Sequence, residues 1–384
     1  MKLKHELHLA YCTNIHRGET WPETLAALQQ YTLAVRDRVS GGKPYSIGLR
    51  LSDQASRELS EPGALLDFRR WLDRNNCYIF TINGFPYGRF HGQRVKEQVY
   101  RPDWTSDDRV NYTNRLFDLL AELLPRGVEG SVSTVPGSFK EFITTDEQTQ
   151  QIRAKIFRCM EHVARLSERT GKGLHLGLEP EPLGLLETTD ETVAFFERLR
   201  DEHPNDSRLA THLGVNYDTC HLAVEFENPA ESLDRLRRSG IKVSKLHLSS
   251  ALKMRLSPEA RNAVTAFADD VYLHQVVARG NDGKLTRYRD LNVALEASAN
   301  AEEWRIHFHI PLHSPPGSWF ENTTDHLIGV FDYLKKNPSL CSHLEMETYT
   351  WDVLPPEMKS RTVVEQLTAE YDWCLRALQS RGLA

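Results

Sequence analysis

The sequence predicts an α/β protein, a single TIM (β/α)8 barrel domain that spans residues 1–384. Short apolar runs of strand type alternate with amphipathic helical stretches along the chain, an order typical of a parallel sheet covered by helices. Capping boxes at Thr145-x-x-Gln148 and Thr188-x-x-Glu191 indicate two helix starts, each several residues after a predicted strand. Polar residues end several late strands, and in a barrel such residues meet at one rim.

Ten segments have the composition of strands, which is more than the eight that a barrel of this type needs. They are residues 7–14, 45–51, 77–84, 129–135, 173–179, 213–218, 243–248, 271–279, 305–312 and 344–350. The stretches between them carry apolar residues at helical spacing, for example at 152, 156, 160, 163 and 166. We therefore expect some of the later segments to lie outside the barrel.

The extra segments predict an insertion after the seventh strand, at about residues 250–304. Two β-like runs flank Gly280-Asn-Asp-Gly283, and a turn of this kind predicts a β-hairpin. We expect this hairpin to lie over the rim of the barrel. The segment 304–313 is either the eighth barrel strand or an extra strand of the same insertion, and its spacing does not decide between the two.

Composition excludes several classes of partner. The chain is 40% apolar and 26% charged, with 47 basic residues, 53 acidic residues and a formal net charge of −6. It has no Lys/Arg-rich block, so neither a nucleic acid nor an anionic membrane surface is an expected partner. The first residues lack an apolar signal core and no run approaches the ~20 apolar residues of a membrane span, so we expect a cytoplasmic protein without membrane insertion. The six cysteines form no Cys-x-x-Cys pair, which argues against a zinc knuckle or a redox pair.

Charged side chains interrupt four late apolar segments. Glu179 follows Leu-Gly-Leu, Asp218 ends an apolar strand, and His247 lies within another. Glu345 and Glu347 share one face of the last predicted strand, and both are candidates. A charge in an apolar segment is costly to bury unless a hydrogen-bond network, an ion pair or a metal compensates it. The pattern favours a metal site, although each residue also has an ordinary explanation, such as a helix cap for Asp218 or a core position for His247.

Histidines and one tryptophan supply candidate substrate contacts. His307 and His309 share one strand face, and such a pair binds a metal, grips a polar ligand or donates to backbone carbonyls. Trp351 is a candidate for stacking on a ring substrate, or else a core residue. The candidate substrate-binding residues are His221, His274, His307, His309 and Trp351.

The order of these residues resembles that of a known superfamily. Glu179, then Asp218-Thr-Cys-His221, then His247, then Glu345 or Glu347 is similar to the pattern of the xylose-isomerase-like TIM barrels, over roughly residues 5–375. That superfamily includes sugar isomerases, ketose 3-epimerases and endonuclease IV-type hydrolases. The resemblance implies that Glu179, Asp218, His247 and Glu345 or Glu347 hold one divalent cation, either Mn²⁺, Mg²⁺, Co²⁺ or Zn²⁺.

Shorter segments resemble the EboE branch, whose members are tied to the processing or export of a metabolite. The segments are Tyr11-Cys-Thr-Asn14, Tyr272-Leu-His-Gln275, His307-Phe-His-Ile-Pro and Leu344-Glu-Met-Glu-Thr-Tyr-Thr-Trp351. The chain departs from the epimerases in two ways. The gap between His247 and Glu345 is longer, and no Arg follows His247 where the epimerases place a substrate-binding one. The substrate class therefore stays open.

We derive two classes of function. In the first, an isomerase or epimerase binds a small polar metabolite at a cation that polarises its carbonyl group. Glu179 and Glu347 then exchange a proton through an enediolate, and His221 grips a hydroxyl. In the second, a non-catalytic protein binds or transports a metabolite on the same barrel.

A neighbouring enzyme class is metal-dependent phosphoester hydrolysis, which needs two or three ions. The residues that would complete such a site are His5, His8, His91, His307 and His309. One ion per chain disfavours hydrolysis, whereas two or three favour it.

Overall fold

The computed structural model describes residues 1–297, 301–359 and 361–384. Residues 298–300, which belong to the predicted insertion, lie outside this part. The strands are β1 (His8–Tyr11), β2 (Tyr45–Arg50), β3 (Cys77–Asn83), β4 (Gly130–Thr134), β5 (Leu174–Leu178), β6 (Leu213–Asp218), β7 (Lys242–Leu248), β8 (Ala251–Arg255), β9 (Val276–Arg279), β10 (Leu285–Tyr288), β11 (Glu303–His309), β12 (Glu321–Asn322) and β13 (His343–Met346).

The α-helices follow the strands in the alternation that the sequence predicts. They are α1 (Trp21–Ala27), α2 (Leu33–Val39), α3 (Asp53–Leu59), α4 (Pro62–Arg74), α5 (Asp107–Leu123), α6 (Asp146–Thr170), α7 (Thr189–Glu202), α8 (Arg208–His212), α9 (Thr219–Val224), α10 (Pro229–Arg238), α11 (Pro258–Ala263), α12 (Leu291–Glu296), α13 (Thr324–Lys336) and α14 (Val363–Gln379). Capping boxes at Thr145 and Thr188 begin α6 and α7, as predicted. Among the described residues, no helix combines the length and the apolar character that crossing a bilayer requires.

Eight parallel strands form a nearly closed barrel with helices around it, which confirms the predicted fold. The order of the strands is β1-β13-β7-β6-β5-β4-β3-β2, and a parallel bridge between Cys12 and Gly48 joins the two ends. All residues of these strands are buried except Tyr78 and Lys242, which are half-buried. Burial on both faces explains why apolar residues occur on both faces of most of these strands rather than on alternate positions alone. Each of the seven predicted strands before the insertion overlaps one barrel strand.

The chain between β7 and α13 forms a second, antiparallel sheet of five strands in the order β10-β9-β11-β8-β12. The segment 304–313, which the sequence left between two assignments, contributes β11 to this sheet, and β13 is the eighth barrel strand. The second sheet has an apolar cluster of its own, which includes Leu252, Trp304 and Ile306.

The insertion contacts the loops at the carboxyl end of the barrel. In one contact, Nε2 of Gln275 donates to the carbonyl of Pro182 at 2.9 Å. In another, Nδ1 of His309 lies 3.0 Å from the carbonyl of Glu347. Residues of the insertion therefore lie beside the rim where barrel side chains converge.

Candidate metal centre

Four side chains from neighbouring barrel strands meet at the carboxyl end of the barrel. Glu179 follows β5, Asp218 ends β6, His247 lies in β7 and Glu347 follows β13. Because these four strands are consecutive in the sheet, the residues occupy adjacent positions on one rim. One ligand atom of each lies within 4.8 Å of those of the other three, and all four are buried. The structure thus brings together four residues that the sequence order singled out.

The Nδ1 atom of His247 lies at the centre of this quartet. It is 2.7 Å from Oε1 of Glu179, 3.4 Å from Oε2 of Glu347 and 3.5 Å from Oδ2 of Asp218. Burial lowers the pKa of His247, but the charges of Glu347 and Glu179 outweigh burial and hold the pKa well above its ordinary value. The ring is therefore an imidazolium until a cation takes the place of its proton.

Glu345 lies on the other side of the His247 ring, outside the quartet. Its Oε2 atom is 2.8 Å from Nε2 of His247 and 2.6 Å from Nζ of the buried Lys245. Burial raises the pKa of Glu345, but the charges and hydrogen bonds of Lys245 and His247 together outweigh burial and hold the pKa at about 2. A Cβ atom at Gly48 would overlap Oε1 of Glu345, so this carboxylate needs a glycine at that position of β2. Of the two glutamates that the sequence left as candidates, Glu347 belongs to the quartet and Glu345 orients the His247 ring.

Asp218 divides its two oxygens between different partners. Oδ1 accepts the backbone N–H of Cys220 at 2.7 Å and the hydroxyl of Ser249 at 2.5 Å, and it also caps α9. Oδ2 faces His247 and has no hydrogen-bond partner among the described residues. The cap and the ligand, which were alternatives for Asp218 in the sequence, are therefore compatible because each uses a different oxygen.

Two asparagines that sequence reasoning missed position Glu347. Nδ2 of Asn14 donates to Oε1 of Glu347 at 2.8 Å, and Nδ2 of Asn83 donates to the same oxygen at 3.1 Å. Burial raises the pKa of Glu347 well above its ordinary value, and the nearby charges of Glu179 and Asp218 raise it further against the opposing charge of His247. With Oε1 held in place, Oε2 is turned toward His247. Asn83 ends β3 and Asn14 follows β1, so a search for polar residues at strand ends would have found both.

The quartet fits a divalent cation. Three carboxylates and one imidazole are suited to Mg²⁺, Mn²⁺, Co²⁺ or Zn²⁺. Oε2 of Glu179 and Oδ2 of Asp218 are buried and lack a hydrogen-bond partner among the described residues, a condition that is costly unless a ligand satisfies them. The other ring nitrogen of His247 is fixed by a carboxylate, as is usual for a metal-ligating histidine.

A cavity opens onto the quartet, with about 550 Å³ of empty space including its mouth. Glu179 and Glu347 line its floor, and His221 and His307 line its wall. Aromatic side chains enclose the remainder, among them Phe90, Tyr100, Tyr272 and Tyr349. This mixture of apolar walls and a few convergent polar groups is typical of a site for a small molecule.

Three residues that the sequence predicts as substrate contacts lie outside the cavity lining. His274 is buried, with Nε2 on Asp269 at 2.5 Å and Nδ1 on the carbonyl of His307 at 3.1 Å, so both ring nitrogens are engaged. Trp351 packs between the barrel cluster and the cluster of the second sheet. His309 is buried behind the wall, with its ring centroid 5.5 Å from that of His221.

The histidines predicted near the amino end of the chain do not join the cluster. His5 is exposed in a 3-10 turn before β1, and His8 begins β1, at the opposite end of the barrel from the quartet. His91 lies on the same side as the quartet, but its ring bonds to Tyr272 and to the carbonyl of Asn14. The topology separates His5 and His8 from the rim, and His91 is engaged by other partners, so the structure does not bring these three residues together with the quartet.

The fold and the quartet together define a TIM barrel with a candidate metal centre at the carboxyl end of its strands. No family model and no curated protein matches the chain. Solved structures of similar fold include a xylose isomerase-like TIM barrel protein from Mycobacterium smegmatis in complex with magnesium, with a TM-score of 0.54, 13% identity and coverage of 98% of this chain and 97% of that chain.

Two further solved structures are similar at the same level. D-psicose 3-epimerase with D-tagatose from Clostridium cellulolyticum H10 has a TM-score of 0.52 and 10% identity and covers 97% of this chain and 99% of that chain. The probable 3-DHS dehydratase AsbF of Bacillus anthracis, involved in petrobactin synthesis, has a TM-score of 0.51 and 13% identity and covers 96% of this chain and 99% of that chain. At these identities the likeness shows the fold alone.

Proposed function

We propose that this protein is a metal-dependent isomerase or epimerase that acts on a small polar metabolite with neighbouring hydroxyl and carbonyl groups. The observation that supports the proposal is the quartet of Glu179, Asp218, His247 and Glu347, two of whose members, Glu179 and Glu347, line a cavity. Epimerases of sugars are among the solved structures with the same fold, which makes a ketose or aldose the first substrate to test.

Two carboxyl groups are placed to move a proton. Glu179 and Glu347 approach Nδ1 of His247 from different strands, and both line the cavity. When bound, a divalent cation would polarise the carbonyl and acidify the neighbouring C–H bond. Glu179, which follows β5, would take the proton as the base. Glu347, which follows β13, would return a proton from its own position.

His221 would hold a substrate hydroxyl. Its Nδ1 atom lies 3.0 Å from the carbonyl of Pro180, and this fixes the ring so that Nε2 is presented to the cavity. The aromatic side chains around the opening would exclude water from the enediolate. We further propose, from the EboE-like segments, that the metabolite is one that cells process or export and that the protein acts on it in the cytoplasm.

Solvent deuterium exchange tests the proposal. The metal-loaded protein is incubated in D₂O with a panel of ketoses and aldoses, and deuterium at the carbon next to the carbonyl is measured. We expect exchange with at least one substrate, and a loss of about 10²- to 10⁴-fold in Glu179→Gln and Glu347→Gln. Glu231→Gln, on the exposed surface of α10, is the matched control and should exchange at the parent rate.

The metal content of each variant is measured alongside its exchange, so that a lost proton donor is distinguished from a lost cation. Absence of exchange with every substrate, in protein that retains its metal, would contradict the proposal.

A second candidate function is metal-dependent phosphoester hydrolysis. The observation that favours it is a group of ligand atoms beside the quartet, from Glu181, His221 and His307. Release of phosphate from a panel of phosphate esters, without deuterium exchange, would favour hydrolysis over isomerisation.

A further inference from the structure

Three side chains that the quartet does not use lie close together beside it. Glu181, His221 and His307 each bring one ligand atom within 4.8 Å of the other two, and all three are buried. Glu181 lies in the loop after β5, His221 in α9 and His307 in β11 of the inserted sheet. All three also line the cavity. The group therefore joins the barrel to its insertion at the wall of the candidate active site.

The hydrogen bonds of the two histidines leave Nε2 of each ring free to bind a ligand. Nδ1 of His221 faces the carbonyl of Pro180 at 3.0 Å, and a carbonyl only accepts, so Nδ1 carries the proton. Nδ1 of His307 faces Oε1 of Gln275 at 2.8 Å. The amide of Gln275 is oriented in turn, because its Nε2 atom donates to Pro182 at 2.9 Å. Both rings are thus held by oxygen acceptors in the way that supporting residues hold metal-ligating histidines.

Two atoms of the group are buried without a partner. Nε2 of His307 and Oε1 of Glu181 make no hydrogen bond with any described residue. Buried polar atoms in this condition are uncommon and costly, and a bound ion is one remedy. Because both atoms belong to residues that face one cavity, a single ligand would satisfy them together.

The charged groups in this region also favour a second cation. Four buried carboxyl groups lie close together here, those of Glu179, Asp218 and Glu347 in the quartet and of Glu181 beside it, and bound cations would allow them to be ionised together. The nearest buried cations are already paired: Lys245 with Glu345 at 2.6 Å, and Lys96, in the cavity lining, with Asp290 at 2.7 Å. With all four carboxyl groups ionised and His247 neutral, their charge equals that of two divalent cations.

We propose that Glu181, His221 and His307 hold a second divalent cation, separate from the one bound by the quartet. A group of Asp218, His221 and His309 also has its ligand atoms close together. That group would reuse the free oxygen of Asp218, which faces the quartet, and His309 does not line the cavity. The second cation would be open to the cavity and would bind a further oxygen of the substrate, either a hydroxyl or a phosphoryl oxygen.

The inference goes beyond the proposed function and does not depend on it. A second cation fits an isomerase, where it would hold the substrate hydroxyl in place of a direct contact with Nε2 of His221, and it also meets the requirement of hydrolysis for more than one ion. Deuterium exchange and phosphate release remain the measurements that choose between the two reactions.

Metal stoichiometry tests the inference. The full chain is loaded with excess Zn²⁺, passed through a desalting column and analysed for zinc per chain. We expect two equivalents in the parent protein and one in His307→Ala and in Glu181→Gln. His162→Ala, which removes a half-buried histidine paired with Asp118 on the outer helices, is the matched control and should retain two.

One equivalent in the parent protein, or two in both His307→Ala and Glu181→Gln, would overturn the inference. Anomalous diffraction from zinc-loaded parent crystals gives the same answer without a variant. A second peak between His221 and His307 supports the site, and its absence at full quartet occupancy overturns it.

Discussion

Nε2 of His247 lies 2.8 Å from Oε2 of Glu345, which in turn lies 2.6 Å from the ammonium group of Lys245. This chain of contacts runs inside the barrel and sets the direction of the imidazole ring. Because Glu345 holds Nε2 of the ring, Nδ1 faces Glu179, Asp218 and Glu347 at the rim. Two buried side chains of opposite charge, Glu345 and Lys245, therefore hold His247 in position within the candidate metal centre.

Removal of the negative charge of Glu345 should weaken metal binding. In Glu345→Gln the carboxylate that orients His247 and increases its basicity becomes a neutral amide. We expect the dissociation constant for Mn²⁺ or Zn²⁺ to rise about 10- to 100-fold, the usual effect of losing a residue that orients a metal ligand. Competition with a chromogenic chelator measures this dissociation constant. An unchanged affinity, with Glu231→Gln as the reference, would show that Glu345 does not position the ligand.

Lys245→Met should destabilise the fold. The variant leaves Glu345 as a buried carboxylate without its ammonium partner, which costs about 3 to 5 kcal/mol in comparable cases. Chemical denaturation of the metal-free protein measures the free energy of unfolding. Adding Glu345→Gln to the same chain should recover part of the loss, because the buried carboxylate that has lost its ammonium partner is then replaced by a neutral amide. A loss below about 1 kcal/mol in the single variant would show that the pair contributes little.

Metal affinity should rise with pH. In the metal-free protein the charges of Glu347 and Glu179 outweigh burial and hold the pKa of His247 well above its ordinary value, so a cation has to displace the proton. We expect affinity to increase up to about tenfold per pH unit for each proton released, between about pH 6 and 8. Calorimetry in buffers of different ionisation enthalpy counts the protons. Binding without proton release would contradict the position assigned to His247.

Glu370 gives a pH dependence of stability that is independent of the metal. This residue of α14 accepts hydrogen bonds from the Leu312 amide at 3.0 Å and from the hydroxyl of Thr348 at 2.7 Å. Thr348 is the residue after Glu347 in the chain. Burial raises its pKa from 4.5 to about 7. The folded state therefore binds the proton more tightly than the unfolded state, and this contribution to stability is present below pH 4.5 and is lost as the pH rises through about 7.

Glu370→Gln removes this dependence, because the amide stays neutral and still offers an oxygen acceptor. We expect the variant to gain stability over the parent as the pH rises, by at most about 3 kcal/mol above neutral pH. The effect is measured as the difference between the free energies of unfolding of the two proteins at each pH. A difference that does not change with pH would mean that Glu370 titrates normally.

The fold and the quartet were accessible from the sequence because both depend on local patterns. Buried parallel strands are continuous apolar runs, and a charged residue at the end of such a run stands out. The order Glu179, Asp218, His247 and Glu347 along the chain is also the order of adjacent strands in the barrel. The order of these four residues along the chain therefore predicted that they lie close together in the barrel.

The supporting roles of Lys245, Glu345, Asn14 and Asn83 were not predicted, because they arise from contacts between distant strands. Lys245 lies two residues before His247 and so shares its strand face, yet nothing in the sequence indicates that Glu345 lies opposite both. Asn14 and Asn83 become important only because β1 and β3 approach Glu347. The second sheet was predicted only in part: β8 was missed, since five residues directly after β7 offer little periodicity.

Anomalous diffraction from crystals of the Mn²⁺-loaded parent protein shows directly whether the quartet binds a cation. We expect a manganese peak coordinated by Glu179, Asp218, His247 and Glu347, with Glu345 hydrogen-bonded to the far side of the imidazole. A protein with no peak at this position, or with manganese bound by other residues while the four side chains remain unliganded, would contradict this expectation.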